Sequence, residues 1–134
     1  MGKKSVEDRI AALERQVAEI RVRAVEAGEF RLVDKSGRVR AVLEMTRSGP
    51  RLAMIQEDGA VSFEVALAPD GPGLRVSDVD GNTRIFIGAQ RDSGRIALAD
   101  GKGKQRAFIG VGGEGRPMID LYDAKQRRIW GAPD

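Results

Sequence analysis

The sequence predicts an all-β repeat module led by one short coiled-coil helix, with about ten antiparallel strands per chain. Two observations predict it: a heptad of apolar residues over residues 5–27, and a unit of 22 residues that recurs from Glu29 to Asp134. Composition is the third. The chain has 134 residues, 17 of them Gly, with no Cys and no His. That removes disulfides, thiolate and imidazole chemistry, and the usual zinc sites. Aromatic residues are only 4%, so any interior is aliphatic and narrow. Net charge is +3, a mild basic excess compared with a committed nucleic-acid binder. No apolar run approaches the roughly 20 residues that cross a bilayer, and Glu7, Asp8 and Arg9 stand where a signal peptide needs an apolar stretch. The expectation is a cytoplasmic or virion-associated protein that makes no membrane contact.

The first element is the helix. From Ser5 to Ala27 there is neither Gly nor Pro, and Ala, Glu, Arg and Val dominate. Val6, Ile10, Leu13, Val17, Ile20, Ala24 and Ala27 are spaced four and three apart in alternation, the a/d pattern of a coiled coil. Such a seam is narrower than the stripe that packs a helix onto its own domain. Ser5 is placed to cap the N-terminus with Asp8 three residues on, and Gly28 to end the helix. About three heptads are marginal alone, so other contacts must hold the copies together.

The repeats follow. Glu29–Pro50, Arg51–Pro72, Gly73–Gly94, Arg95–Pro117 and Met118–Asp134 align as five copies, the last of them short. Asp34, Asp78 and Asp100 recur in step, with Gln56 in the second copy. Gly37, Gly59, Gly81 and Gly103 follow three residues later. Arg40, Arg84, Arg106 and Arg128 form a further column, broken by Ser62. Within each copy apolar residues alternate with polar ones, so each copy reads as two strands joined by an Asp/Gly turn. The Gly-Pro that closes a copy is expected to make the next turn.

One strand face then carries Leu32, Val39, Ala41, Leu43, Leu52, Met54, Val61, Phe63, Val65, Leu74, Val76, Ile85, Ile87, Ile96, Leu98, Ala107, Ile109, Ile119, Leu121 and Ile129. An aliphatic sheet face must be covered. Three copies turned to a common axis would cover it, as a triangular β-prism or an interwoven β-helix. The alternative is a monomeric up-and-down β-barrel.

Two resemblances bear on this choice. Arg9-Ile10-Ala11-Ala12-Leu13-Glu14 resembles the Arg-h-x-x-h-Glu trimerisation motif of short parallel coiled coils, h being aliphatic. It implies that Arg9 and Glu14 bridge neighbouring helices around Ile10, Leu13, Val17 and Ile20. The whole pattern resembles trimeric phage-fibre and tail-tip modules, in which a coiled coil leads into a β-prism. It is also similar to bacterial proteins with repeats of the kind Leu-x-Leu-x-Asp-x-x-Gly-x-x-Arg. The implied partner is the chain itself, as a homotrimer within a larger fibre or particle, and the implied role is a non-enzymatic spacer, adaptor or tip.

Site chemistry is sparse. Asp78-Val79-Asp80-Gly81-Asn82 looks like a calcium loop, yet Thr83 and Ala89 stand where such a loop needs its Gly and its bidentate Glu. A plain turn accounts for it, and no metal or other cofactor is expected. Gly110-Val111-Gly112-Gly113-Glu114-Gly115 lacks the Lys-Ser/Thr of a phosphate loop and precedes a strand. No nucleophile stands beside a base, so no catalytic residue is named. The remaining candidate is an outward row of Arg84, Phe86, Arg106, Phe108, Arg128 and Trp130, a platform for a glycan or for a polyanion. Against it stands a structural role, with Arg paired to acids on neighbouring strands.

Overall fold

The computed structural model describes residues 5–19 and 26–133. It contains one helix, α1 (Val6–Glu19), and ten strands: β1 (Glu29–Val33), β2 (Val39–Thr46), β3 (Gly49–Ile55), β4 (Val61–Ala68), β5 (Gly71–Ser77), β6 (Thr83–Gln90), β7 (Ser93–Ala99), β8 (Gln105–Val111), β9 (Pro117–Tyr122) and β10 (Arg128–Ala132).

Ser5 and Asp8 start α1 reciprocally. The Asp8 N–H donates to Ser5 Oγ and the Ser5 N–H to Asp8 Oδ2, both at 3.1 Å. Val6, Ile10, Leu13 and Val17 lie along the helix and are all exposed, Leu13 by 59%. Arg9 and Glu14 also lie on α1, and neither forms an ion pair among the described residues. Ile20 and Ala24 of the heptad lie outside the described residues. Ala27 does not extend the helix: Glu26 and Ala27 have no regular structure, and Gly28 bends the chain into β1, its carbonyl accepting from the Met45 N–H at 3.1 Å.

The strands form one antiparallel sheet in sequence order, β1 to β10. Each copy's hairpin closes with the same turn. In the first, the Asp34 N–H donates to Arg38 O and the Gly37 N–H to Asp34 O, and the pattern recurs from Gln56, Asp78, Asp100 and Asp123. Asp34, Asp78, Asp100 and Asp123 also accept backbone N–H bonds on Oδ1, holding their own turns. The turn needs a left-handed residue: Gly37, Gly59, Gly81 and Gly103 have φ between 72° and 90°, and Gln126 fills the position in the last copy at φ 63°. A bulge follows, its extra residue being Arg40 in β2, Ser62 in β4, Arg84 in β6, Arg106 in β8 and Ile129 in β10.

The other connections differ from expectation. Gly-Pro does not make the turn. Arg47-Ser48, Pro69-Asp70 and Arg91-Asp92 are two-residue loops, while Gly49-Pro50 and Gly71-Pro72 open β3 and β5, and Pro117 opens β9. Two central residues suffice to reverse twisted antiparallel strands, and Pro is tolerated at the start of a strand.

Register lays the apolar face out in straight rows. A middle row runs Phe30, Leu43, Leu52, Val65, Leu74, Ile87, Ile96, Ile109, Ile119, Ala132. A row beside the Asp turns runs Leu32, Ala41, Met54, Phe63, Val76, Ile85, Leu98, Ala107, Leu121, Trp130. A row beside the short loops pairs Met45 with Pro50, Leu67 with Pro72, Ala89 with Gly94, and Val111 with both Gly94 and Pro117. Because the rows do not stagger, the sheet lacks the shear that barrel closure requires. β1 and β10 lie at opposite ends of the order and do not pair, so the sheet is open rather than the alternative up-and-down barrel.

Nothing among the described residues covers the apolar rows. Among the described residues only Val42 (6% exposed) and Ala53 (0%) are buried hydrophobics, and both lie on the opposite face, between Arg31 and Glu64 in register. Ile109 is 51% exposed and Leu98 44%.

Candidate functional site

The face opposite the apolar rows is where the sequence places a ligand platform. The Arg column is there, but each guanidinium is already engaged. Arg40 Nε donates to the carbonyl of Ile55, opposite the bulge at Ser62, at 3.1 Å, and its Nη1 lies 3.6 Å from Asp34. Arg84 repeats this with Ala99 O at 2.8 Å and Asp78 at 3.4 Å. Arg106 does so with Tyr122 O at 3.3 Å and Asp100 at 3.1 Å. Each Arg therefore ties the Asp of its own turn to the bulge of the next copy. Arg128 departs from the series, donating to Asp120 at 2.6 Å and to Pro133 O at 3.3 Å, while Arg127 takes Asp123.

Phe86 and Phe108 lie flat on the sheet over glycines. A Cβ on Gly88 would come within 2.5 Å of the Phe86 ring, and one on Gly110 within 2.7 Å of Phe108. The rings take the place of the missing side chains two residues along the strand, shielding bare backbone. Arg95 covers Phe86 in turn, its Cζ 4.9 Å from the ring centroid.

Trp130 is not on this face. The bulge at Ile129 brings Trp130 opposite Leu121, so it ends the turn-side apolar row, and Gly131 takes the outward place opposite Asp120. The same bulge removes Ile129 from the regular apolar row. Six candidate residues thus divide: Arg84, Phe86, Arg106, Phe108 and Arg128 share a face, and Trp130 does not join them.

A feature the sequence reading missed occupies the middle of this face. Arg51 donates to Glu44 at 2.7 Å and to Glu64 at 2.6 Å, and Arg75 also pairs with Glu64, making a zigzag across β2 to β5. Its signal was present. Glu44 and Arg51 are equidistant from the Arg47-Ser48 loop, and Glu64 and Arg75 from Pro69-Asp70, so once those loops are recognised the charges fall opposite or diagonal to one another. Burial pushes the Glu64 carboxyl up, but hydrogen bonds from Arg51 and Arg75 outweigh it and hold it below the usual range.

Beside the zigzag lies an open recess of about 360 Å³ bounded by Glu64, Asp70, Arg75, Phe86, Gln90 and Arg95. Glu64 and Arg75 are paired, Asp70 accepts from Gln90, and Arg95 sits on Phe86. The Glu64 carboxyl is held down rather than up, and Thr83, the one hydroxyl side chain of the lining, makes no hydrogen bond to a carboxylate among the described residues. Among the described residues no three His, Cys, Asp or Glu side chains gather as metal ligands, and no helix is long and apolar enough to cross a membrane. No protein-family model matches the chain, and neither does any curated protein sequence.

Proposed function

We propose that the chain is a non-enzymatic homotrimeric structural module, in which a parallel coiled coil sets register and three β sheets form a rigid prism serving as shaft, spacer or tip of a larger assembly. One observation carries this reading: ten strands present three rows of apolar side chains, free of charge, on one face that nothing among the described residues covers. A face of this kind calls for its own equal. Identical copies supply complementary length, repeat and chemistry at once.

Three is the number favoured by two arguments. The first is Arg9-Ile10-Ala11-Ala12-Leu13-Glu14, whose apolar members are exposed on α1. The second is size. A strand of seven residues is about 24 Å long, so three of them closed into a triangle stand about 7 Å from a common axis, a depth that aliphatic side chains fill. Four would stand about 12 Å away and leave a hollow. The glycan or polyanion reading has weaker support, because the arginines are engaged and Trp130 faces away from Phe86 and Phe108.

Light scattering on the full chain tests the proposal. The expected mass is three chains. Ile87→Lys, in the middle row, is expected to lower it, because three charges would converge where no partner or water reaches them. A mass of one chain at micromolar concentration would overturn the reading.

A further inference from the structure

The two outer apolar rows carry a pattern that a lone sheet does not explain. On β6 the turn-side row holds Ile85 and the loop-side row Ala89. On β7 they hold Leu98 and Gly94. On β8 the order reverses, to Ala107 and Val111. Large stands with small on each of these three strands, and β2 repeats the reversed form with Ala41 and Met45. On β3, β5 and β9 the loop-side member is Pro, with Met54, Val76 and Leu121 in the turn-side row. Phe63 and Leu67 on β4 are the pair in which both are large.

The members of such a pair do not touch within one chain. They are four residues apart on one strand, about 13 Å, with a middle-row residue between them. No intramolecular packing makes the size of one depend on the other.

A rotation axis parallel to the rows supplies the link. It keeps every strand at its own height and carries the turn-side edge of one sheet to the loop-side edge of the next copy. Ile85 then meets Ala89 of the next copy, Leu98 meets Gly94, and Ala107 meets Val111. With three sheets about 7 Å from the axis, the outer rows of neighbours approach to about 5–6 Å between backbones at each corner. That space takes one large side chain and one small one, and is overfilled by two large ones.

We infer that neighbouring copies of this chain lock strand for strand at the prism corners, the turn-side row of each sheet packing on the loop-side row of the next. This rests on the trimer proposed above. It adds the contact surface, the register and the cause of specificity: a shift by one strand would set Leu98 against Val111 and Met54 against Leu67, which collide, and a shift the other way would set Ala107 against Gly94, which leaves a gap.

Because the chain has no Cys, cross-linking can read the contact directly. The full chain is prepared with Ile85→Cys and Ala89→Cys together, and with each alone. The paired positions within a chain are beyond the reach of about 7 Å that a disulfide tolerates. Under mild oxidation the double variant is expected to give a closed three-chain band on a denaturing gel, removed by reductant, while each single variant stays at one chain. A two-chain band from either single variant would show like rows facing each other and overturn the inference. A mass of three chains in solution without a three-chain band would also overturn it, leaving the trimer intact. A closed two-chain band from the double variant at a mass of two would uphold the row pairing and overturn the trimer. Size exchange gives a second measure free of oxidation. Ala89→Ile alone is expected to lower the thermal midpoint, and Ile85→Ala added to it to recover at least half of the loss; no recovery would count against the pairing.

Discussion

Asp at the head of the turn is the most repeated residue-level device in the chain, and it makes stability depend on acid. In Asp100 and Asp123 backbone hydrogen bonds, from Lys104 and Arg127 first, hold the carboxyl below its usual range. In Asp34 and Asp78 burial pushes the carboxyl up, but the N–H groups of the turn and the nearby Arg outweigh it, and the result is again downward. A folded value below the unfolded one means the contribution is complete above the unfolded value, near 4, and is lost as pH falls through the folded value. Thermal midpoints followed by circular dichroism are expected to stay level above about pH 5 and to fall below about pH 4. Asp100→Asn with Asp123→Asn keeps a turn-holding oxygen and removes the titration, so its acid-side fall is expected to be smaller than that of the parent. Glycine under aromatic rings is a second local device. Gly110→Ala places a methyl 2.7 Å from Phe108 and 2.8 Å from the Gly94 carbonyl, and is expected to cost about 1–3 kcal/mol in urea unfolding. Phe108→Ala in the same chain relieves only the first clash, so the double variant is expected to be non-additive but not restored.

Elements were legible to the extent that one residue decided them. Asp and Gly three apart decide the turn, and alternation decides the faces; both recur, so the ten strands and nearly all of the apolar face could be read directly. Gly-Pro was misleading because Pro serves a turn and a strand start equally well, and only the pairing of Thr46 with Gly49 separates the two. Trp130 was misplaced because a single bulge at Ile129 reverses every later side chain, and that bulge has no residue of its own to announce it. The Arg column and its pairing with acids are legible, but the second acceptors are not, because they are carbonyls opposite the bulges of the next copy. This explains the irregular second copy. There Ser62 is too short to reach the Ser77 carbonyl opposite the bulge at Arg84, and Gln56 bonds Asp78 O instead, at 3.2 Å. Restoring the column with Gln56→Asp and Ser62→Arg is expected to raise stability by about 0.5–1 kcal/mol in urea unfolding, the two changes together exceeding the sum of each alone. An additive or negative result would mean that the Glu64–Arg75 pair already fills the place of the missing Arg.

At the scale of the whole molecule the sheet presents an energetic problem that one chain does not solve. Ordering a residue's backbone costs about 1–2 kcal/mol, and burial of apolar surface is the main return. Here the return is small, since among the described residues only Val42 and Ala53 are buried hydrophobics while three aliphatic rows stay open. Ladder hydrogen bonds alone offset little, because the unfolded chain makes equivalent bonds to water. Folding and association are therefore expected to be one event, without a stable folded monomer. Two measurements on a dilution series check this. If the far-ultraviolet β signal and the scattering mass fall together, and the thermal midpoint climbs with concentration, stability resides in the contact between copies. Leu13→Asp separates the two parts of that contact. If α1 mainly aligns the copies, the variant is expected to keep its trimer mass at high concentration and lose it at roughly tenfold higher concentration than the parent, equivalent to about 2.7 kcal/mol per trimer because the dissociation constant scales as the square of that concentration. A Leu13→Asp chain that is monomeric yet retains its full β signal would place the stability in the single sheet, and the aliphatic rows would then need another occupant.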